Sequence, residues 1–443
     1  MKWKINALAF TAYLALSLLL TYPLALDFGS KVPGYYDVWQ NIWNFWWVDK
    51  AVFQLKTNPY FTPYLFHPTG VGLAFHTLEL GNSFAGAVIS RHWTLAAAYN
   101  TLVLLSFVLA GYGMFALAKH VVGDSKAAFA AGLVYAFSPY HFMEVNAGHL
   151  NLLSIQWIPF YVLYLMKTFN EGGRGNSTLM ALSFFAVSST CLQYMGFVGL
   201  FTAFYLAFEL FREKAEFTGK AARLIPPAIL SAILIAPLIY PLAVEMIKGG
   251  GVSSPLSASI HYSQDFIAFF SQHPMNPIFG GIAERVSNVI ASEHAYGRIY
   301  AAGYIVLILV AAYFNREYAI FEKFGKIWGL FQNKKTAIPI VVLTAYIILV
   351  NRVFGLDILK ILADSAALSI ALLAYFFLKS AKIDFWSASL ILFGVLSMGP
   401  VMHFAGYVTL PLPYVLLYLI PGFSIFRVPA RFDLLFMLSA AVI

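Results

Sequence analysis

Lys2-Trp3-Lys4 leads into Ile5-Asn6-Ala7-Leu8-Ala9-Phe10-Thr11-Ala12-Tyr13-Leu14-Ala15-Leu16-Ser17-Leu18-Leu19-Leu20-Thr21-Tyr22-Pro23-Leu24. As a helix rising ~1.5 Å per residue, that run crosses a hydrocarbon core of ~30 Å. The two lysines before it place its start on the cytoplasmic side. No small-residue cleavage site follows, so the expectation is a retained span and not a removed signal peptide. The rest of the chain has the same character. Its 443 residues are 60% hydrophobic and 11% charged, with a mean hydropathy of +0.74. That balance excludes a soluble globular domain and predicts an all-α polytopic membrane protein.

Working outward, apolar stretches recur at 5–24, 95–118, 127–143, 150–167, 177–193, 195–211, 224–246, 299–314, 336–350, 363–378, 385–398 and 432–443. At ~20 residues per span they predict about 11–13 transmembrane helices. The run 410–420 is a shorter candidate for a re-entrant or interfacial helix. With the N-terminus inside, the larger share of the 28 Lys and Arg residues falls in short cytoplasmic turns, among them Lys119, Lys126, Arg174, Arg212, Lys220 and Arg223. This is the positive-inside pattern. It puts the sequon Asn176-Ser177-Thr178 on the cytoplasmic side, where it would be inert. It also leaves three long loops outside, at 25–94, 248–298 and 399–431, all within one transmembrane domain spanning 1–443. The apolar run that reaches Ile443 has no polar tail, as expected of a chain that continues beyond 443. The net charge of +8 reads as basic loops on anionic lipid, not as a nucleic-acid surface. Cys191, the one cysteine, sits in an apolar stretch without metal-site spacing.

Long loops held by a rigid scaffold are where chemistry is expected. The first begins Asp37-Val38-Trp39-Gln40-Asn41-Ile42-Trp43-Asn44-Phe45-Trp46-Trp47, a carboxylate followed by indoles that favour the headgroup layer. Aromatic flanks that desolvate Asp37 would make it a useful general base; the alternative is a solvated loop carboxylate in an aromatic belt. The same loop holds His67-Pro68-Thr69-Gly70 and His76, which are either ligands or hydrogen-bonded loop structure. Between the third and fourth spans lies Ser138-Pro139-Tyr140-His141-Phe142-Met143-Glu144-Val145-Asn146-Ala147-Gly148-His149-Leu150-Asn151. His141 and Glu144 fit one helical face. With Asp37 they form either a carboxylate–imidazole cluster suited to Mg²⁺ or Mn²⁺, or a capped helix end.

In the 248–298 loop, Asp265 is an acid candidate or a helix cap, and Glu293 faces Arg298 five residues on. The last loop carries Arg427 and Arg431 among prolines and phenylalanines, placed either to grip phosphate or to snorkel into headgroups. No phosphate-cradling glycine loop, nucleotide fingerprint or zinc-protease helix is present. A cytosolic nucleotide-sugar site therefore has no support.

The chain resembles the GT-C superfamily of polytopic glycosyltransferases, and most closely its bacterial and archaeal branch of membrane glycosyltransferase-like proteins. The resemblance rests on Asp37…Trp39…Trp43…Trp46-Trp47, His67-Pro68-Thr69-Gly70, Ser138-Pro139-Tyr140 with His149-Leu150-Asn151, and Phe426-Arg427-Val428-Pro429-Ala430-Arg431-Phe432. It implies a polyprenyl-phosphate-linked sugar as donor, a glycan, lipid or protein as acceptor, and a catalytic carboxylate at Asp37. It implies a second acid, which only Glu144 matches, and a later loop acid, Asp265 or Glu293. Asp37, Glu144 and Glu293 are then the metal candidates. Arg427, Arg431, His149, Trp39 and Trp43 are the candidates for binding substrate. There is no Asp-x-Asp, so a metal-independent mechanism stands beside one using Mg²⁺ or Mn²⁺. Trp46-Trp47 is followed by Val48 and not Asp, unlike the oligosaccharyltransferase signature. The expected role is cell-envelope glycosylation on the extracytoplasmic face. A non-enzymatic lipid or polysaccharide translocator or assembly factor, and a ligase of lipid-linked polymers, are the rival readings.

Overall fold

The computed structural model describes residues 2–248, 254–271, 280–290, 303–318, 383–418, 420 and 423–443. Among them the chain is mostly helical, and four helices are long and apolar enough to cross a membrane. These are α1 (Lys2–Leu20), α4 (Leu95–Val122), α10 (Leu192–Arg212) and α12 (Ile225–Ile247). The expected spans 336–350 and 363–378 lie outside the described residues, as does Glu293. The chain divides into two units, 1–252 and 253–441.

In the first unit, α2 (Val38–Val48) and α3 (Leu80–Ser90) lie within the 25–94 loop. After α4 come α5 (Ser125–Ala136), α6 (Pro139–Ala147), α7 (Leu150–Leu153), α8 (Trp157–Glu171), α9 (Arg174–Thr190), α10, α11 (Lys214–Ala222) and α12. The run 127–143 is thus two helices and not one. Ser138 caps α6 by accepting the His141 N–H, and Pro139 follows at its first turn. The apolar periodicity passes through this break, but the backbone does not.

α4 is the post on which the unit is built. Tyr13 of α1 is fully buried against it and donates to the Phe129 carbonyl of α5 at 2.9 Å. Its ring fits there because Gly111 and Gly132 have no side chain: a Cβ at Gly132 would come within 2.1 Å of the Tyr13 hydroxyl. On another side Phe45 of α2, Tyr99, Val103 and Phe107 of α4, Val145 of α6 and Leu150 of α7 form one apolar core. α2 turns Val38, Asn41, Phe45 and Val48 inward at helical spacing and leaves Trp39 exposed. A second core, of Trp47, Val48, Ala51, Leu73, Leu78 and Ala87, fixes the loop between α2 and α3.

In the second unit, the short re-entrant or interfacial helix expected at 410–420 is a single helical stretch, Tyr414–Tyr418, and a β-hairpin runs into it. Val401–Phe404 pairs antiparallel with Tyr407–Pro411, and Tyr414–Tyr418 is helical. The two-residue connection Ala405-Gly406 has both φ angles positive, the backbone that matches strand twist in tight hairpins. Asp265 is fully buried here. Its carboxylate accepts N–H groups from Ile267 at 2.8 Å, Ala405 at 3.2 Å and Gly406 at 2.8 Å. It therefore caps a short turn and ties the hairpin to it. Asp265→Ala should lower the stability of this unit by about 2–4 kcal/mol, read as a fall in its thermal midpoint in detergent; an unchanged midpoint would remove this role.

Candidate functional site

Asp37 stands at the N-terminal end of α2, but its side chain caps no backbone N–H. The carboxylate is left for other work. Three features fix where it points. Gly34 and Gly148 both have positive φ, 96° and 77°. They let residues 34–38 lie directly on the end of α6, where the Tyr35 N–H donates to the Asn146 carbonyl at 2.9 Å. Asn41, on the buried face of α2, donates to the Asp37 carbonyl at 2.9 Å and to the Gly148 carbonyl at 3.0 Å.

Gly148 also ends α6 in the left-handed conformation, which turns the chain so that His149 folds back over the helix. His149 Nδ1 meets Glu144 Oε2 at 2.6 Å, and its Nε2 lies 3.6 Å from Asp37 Oδ2. The imidazole thus sits between two carboxylates with different surroundings. Glu144 has no exposed side-chain surface, His149 has 18% and Asp37 47%. A buried acceptor on Nδ1 selects the tautomer with its proton there and leaves Nε2 as the basic nitrogen facing Asp37. At 3.6 Å the Asp37 contact is longer than a direct hydrogen bond and leaves room for a shared proton or bridging water. This is the orienting-acid, imidazole and reacting-group order used in general base catalysis.

The surroundings add His76, which is hydrogen-bonded loop structure, and Glu79, which the sequence left unassigned. Asn44 donates to the Thr77 carbonyl at 2.8 Å, which leaves its Oδ1 to accept from His76 Nε2 at 2.9 Å. Burial lowers the affinity of His76 for a proton, opposed by the charge of Asp37. Glu79 follows in a left-handed backbone conformation, φ 41°, that is costly for a side chain of its size. Desolvation pushes its carboxyl up to about 8, against hydrogen bonds from the Asn151 amide and the Leu192 N–H. The same carboxyl, after burial, helps push the neighbouring Tyr60 up to about 12. The signal for this shell was Asn41 and Asn44, two amides three residues apart on an otherwise apolar helix face.

A pH dependence follows from Glu79. Its folded value of about 8 lies above the ordinary 4.5. The native state therefore holds a proton that the unfolded chain releases between those values. The stabilisation is complete below pH 4.5 and is lost as the pH rises through 8. Glu79→Gln should flatten that fall in thermal midpoint between about pH 5 and 8. A wild-type slope in the variant would contradict it.

The other expected residues divide. His141, grouped earlier with Glu144, instead bonds the Ser106 hydroxyl at 2.9 Å and the Ala136 carbonyl at 2.7 Å and holds α4 to α6. Trp43 stacks on Trp47 and meets His76 edge-on at 6.0 Å, beside the site. Trp39 is 69% exposed, alongside exposed Tyr35 and Tyr36. In the second unit, the Arg427 guanidinium lies over the Tyr262 ring at 5.7 Å, and Arg431 is half-buried. Glu144 reaches His149 and not a point shared with Asp37. Among the described residues no three His, Cys, Asp or Glu side chains converge as a ligand set. What these residues offer Mg²⁺ or Mn²⁺ is Asp37 Oδ2 and His149 Nε2, with Glu144 holding the ring from behind.

No protein-family model matches the chain, and no curated protein matches it.

Proposed function

We propose that this chain is an integral-membrane glycosyltransferase of the GT-C kind, which moves a sugar from a polyprenyl-phosphate donor to a glycan, lipid or protein acceptor at the extracytoplasmic membrane surface. The observation that carries the reading is the alignment of half-exposed Asp37, His149 and buried Glu144 at the ends of apolar helices. Exposed Trp39, Tyr35 and Tyr36 beside it suit a substrate with a lipid tail and a polar head. The Lys and Arg bias supports the extracytoplasmic placement.

In this mechanism Asp37 takes the proton of an acceptor hydroxyl. The freed oxygen attacks the anomeric carbon, and the carbon–oxygen bond to phosphate breaks with its electron pair leaving on phosphate. His149 Nε2 shares the proton that Asp37 has taken, and Glu144 keeps the ring in the tautomer that can do so.

The test is the purified protein in lipid nanodiscs with radiolabelled polyprenyl-phosphate hexoses and pentoses, with and without membrane extract as acceptor. The expected result is time-dependent consumption of one donor and label in acceptor. Parallel reactions with EDTA, Mg²⁺ and Mn²⁺ separate the metal-dependent and metal-independent forms. If no donor is consumed while labelled carrier crosses the bilayer of sealed vesicles, the protein is a translocator and the proposal fails.

A further inference from the structure

A cavity of about 470 Å³ lies at the other end of the helices, far along the chain from Asp37. Gly172, Gly173, Arg174, Ser177, Thr178 and Arg223 line its polar side, and Pro226, Pro227 and Leu230 its apolar wall. It sits where α8 ends, α9 begins and α12 begins, and the proposed function makes no use of it.

The charges around it are unevenly matched. Arg212 pairs with Glu209 and Glu213, and Lys220 pairs with Glu213 and Glu216. Arg174 and Arg223 make no ion pair among the described residues. Arg223 is nevertheless held in place, since its Nη1 donates to the carbonyls of Phe169 and Asn170 at the end of α8. That bond set uses one nitrogen of the fork and leaves the rest of a planar cation at the cavity wall. Arg174 is exposed and has no acid within ion-pair reach among the described residues. The Ser177 and Thr178 residues that line the same cavity carry hydroxyls able to donate. Two cations without counter-charge, one of them already immobilised, make a site for a phosphate.

The apolar wall identifies which phosphate. Pro226, Pro227 and Leu230 belong to α12, whose most apolar window is only 17% buried. Ile225, Ile229 and Ile233 recur every fourth residue on that helix and are 58%, 58% and 64% exposed. On α9, Leu179 and Leu182 are 42% and 47% exposed. The cavity therefore opens beside helix faces that only acyl chains would cover. A soluble phosphate would use the arginines and leave this surface bare; a phospholipid uses both.

We propose that this cavity between α9 and α12 binds the phosphate headgroup of one anionic membrane phospholipid, with its acyl chains along the exposed face of α12. Basic recesses between transmembrane helices recognise headgroups through the same combination of cation and apolar stem. The proposal is independent of the glycosyltransferase reading.

The test uses the full chain in nanodiscs of phosphatidylcholine with a minor share of phosphatidylglycerol, released into mild detergent and weighed by native mass spectrometry. Wild type should retain one phosphatidylglycerol. Arg174→Gln should retain it about tenfold less, the loss of one charge-assisted contact. The Arg174 side chain makes no hydrogen bond or ion pair among the described residues, so this variant keeps its structure even where Arg223→Gln does not. Lys126→Gln, which removes a cation outside the cavity, should retain lipid as wild type does. Equal retention by wild type and Arg174→Gln, or an equal loss in Lys126→Gln, would overturn the site. Displacement of the lipid by millimolar inorganic phosphate, with equal thermal stabilisation by phosphate in lipid-free detergent, would assign the cavity to a soluble ion and overturn the lipid.

Discussion

Asp37→Asn should cut sugar transfer by about 10²–10⁴-fold, the usual contribution of a positioned general base. The change is sharp because so little else depends on that carboxylate. It caps no helix N–H, and the Asn41 bonds that hold this segment go to backbone carbonyls. Asparagine has the same shape and still faces His149, so the thermal midpoint should move by no more than about 0.5 kcal/mol equivalent. What asparagine lacks is the capacity to take a proton. Glu144→Gln separates the roles further. A glutamine amide oxygen can still accept from Nδ1–H, so the ring stays oriented while the buried negative charge behind it is removed. The loss of rate in that variant should be smaller than in Asp37→Asn. Full transfer by Asp37→Asn would end the role given to Asp37.

Gly148→Ala should be among the most damaging single substitutions in the first unit. A Cβ there would lie 2.4 Å from the Tyr35 carbonyl oxygen and 2.7 Å from the Val38 N, in a backbone with φ at +77°. Left-handed strain and steric overlap together cost about 2–5 kcal/mol. The contacts are with backbone, so no side-chain rotation relieves them. The chain must either lift residues 34–38 off α6 or unwind the end of α6, and each route separates Asp37 from His149. Stability and transfer should therefore fall together, unlike in Asp37→Asn. Gly34→Ala meets the Val145 carbonyl at 2.4 Å from the opposite side and should behave the same way. A wild-type thermal midpoint with wild-type transfer in Gly148→Ala would show that the two segments do not touch.

The residues that matter were readable to different depths. Glu144 and His149 stood out because polar groups at the ends of apolar runs need partners, and Asp37 because aromatic residues flank it. Their partnership was not readable. The spacing of His141 and Glu144 favoured one helix face, yet the glycine turn after α6 gives Glu144 to His149 and leaves His141 to Ser106 on α4. Spacing alone does not register a chain reversal. Glu79 was an unremarked loop acid, because what covers it comes from Asn151 and Leu192, far away in sequence. The hairpin after residue 400 was hidden for another reason. In a chain this apolar, a strand and a short membrane helix have nearly the same composition, and only the Ala405-Gly406 turn separates them. Asp265 was legible as a cap, but not as the anchor of a hairpin more than a hundred residues later.

The broken helix at Ser138-Pro139 bears on how such a chain is made. α5 and α6 have 12 and 9 residues, so neither reaches across ~30 Å of hydrocarbon alone. α6 also carries two buried polar side chains, His141 and Glu144. α4, apolar around its whole circumference and 28 residues long, can enter lipid unaided. Synthesis delivers it first, with Ser106 already placed to receive His141. The segment able to enter lipid alone is therefore made before the shorter one, and it already carries the hydroxyl that meets His141.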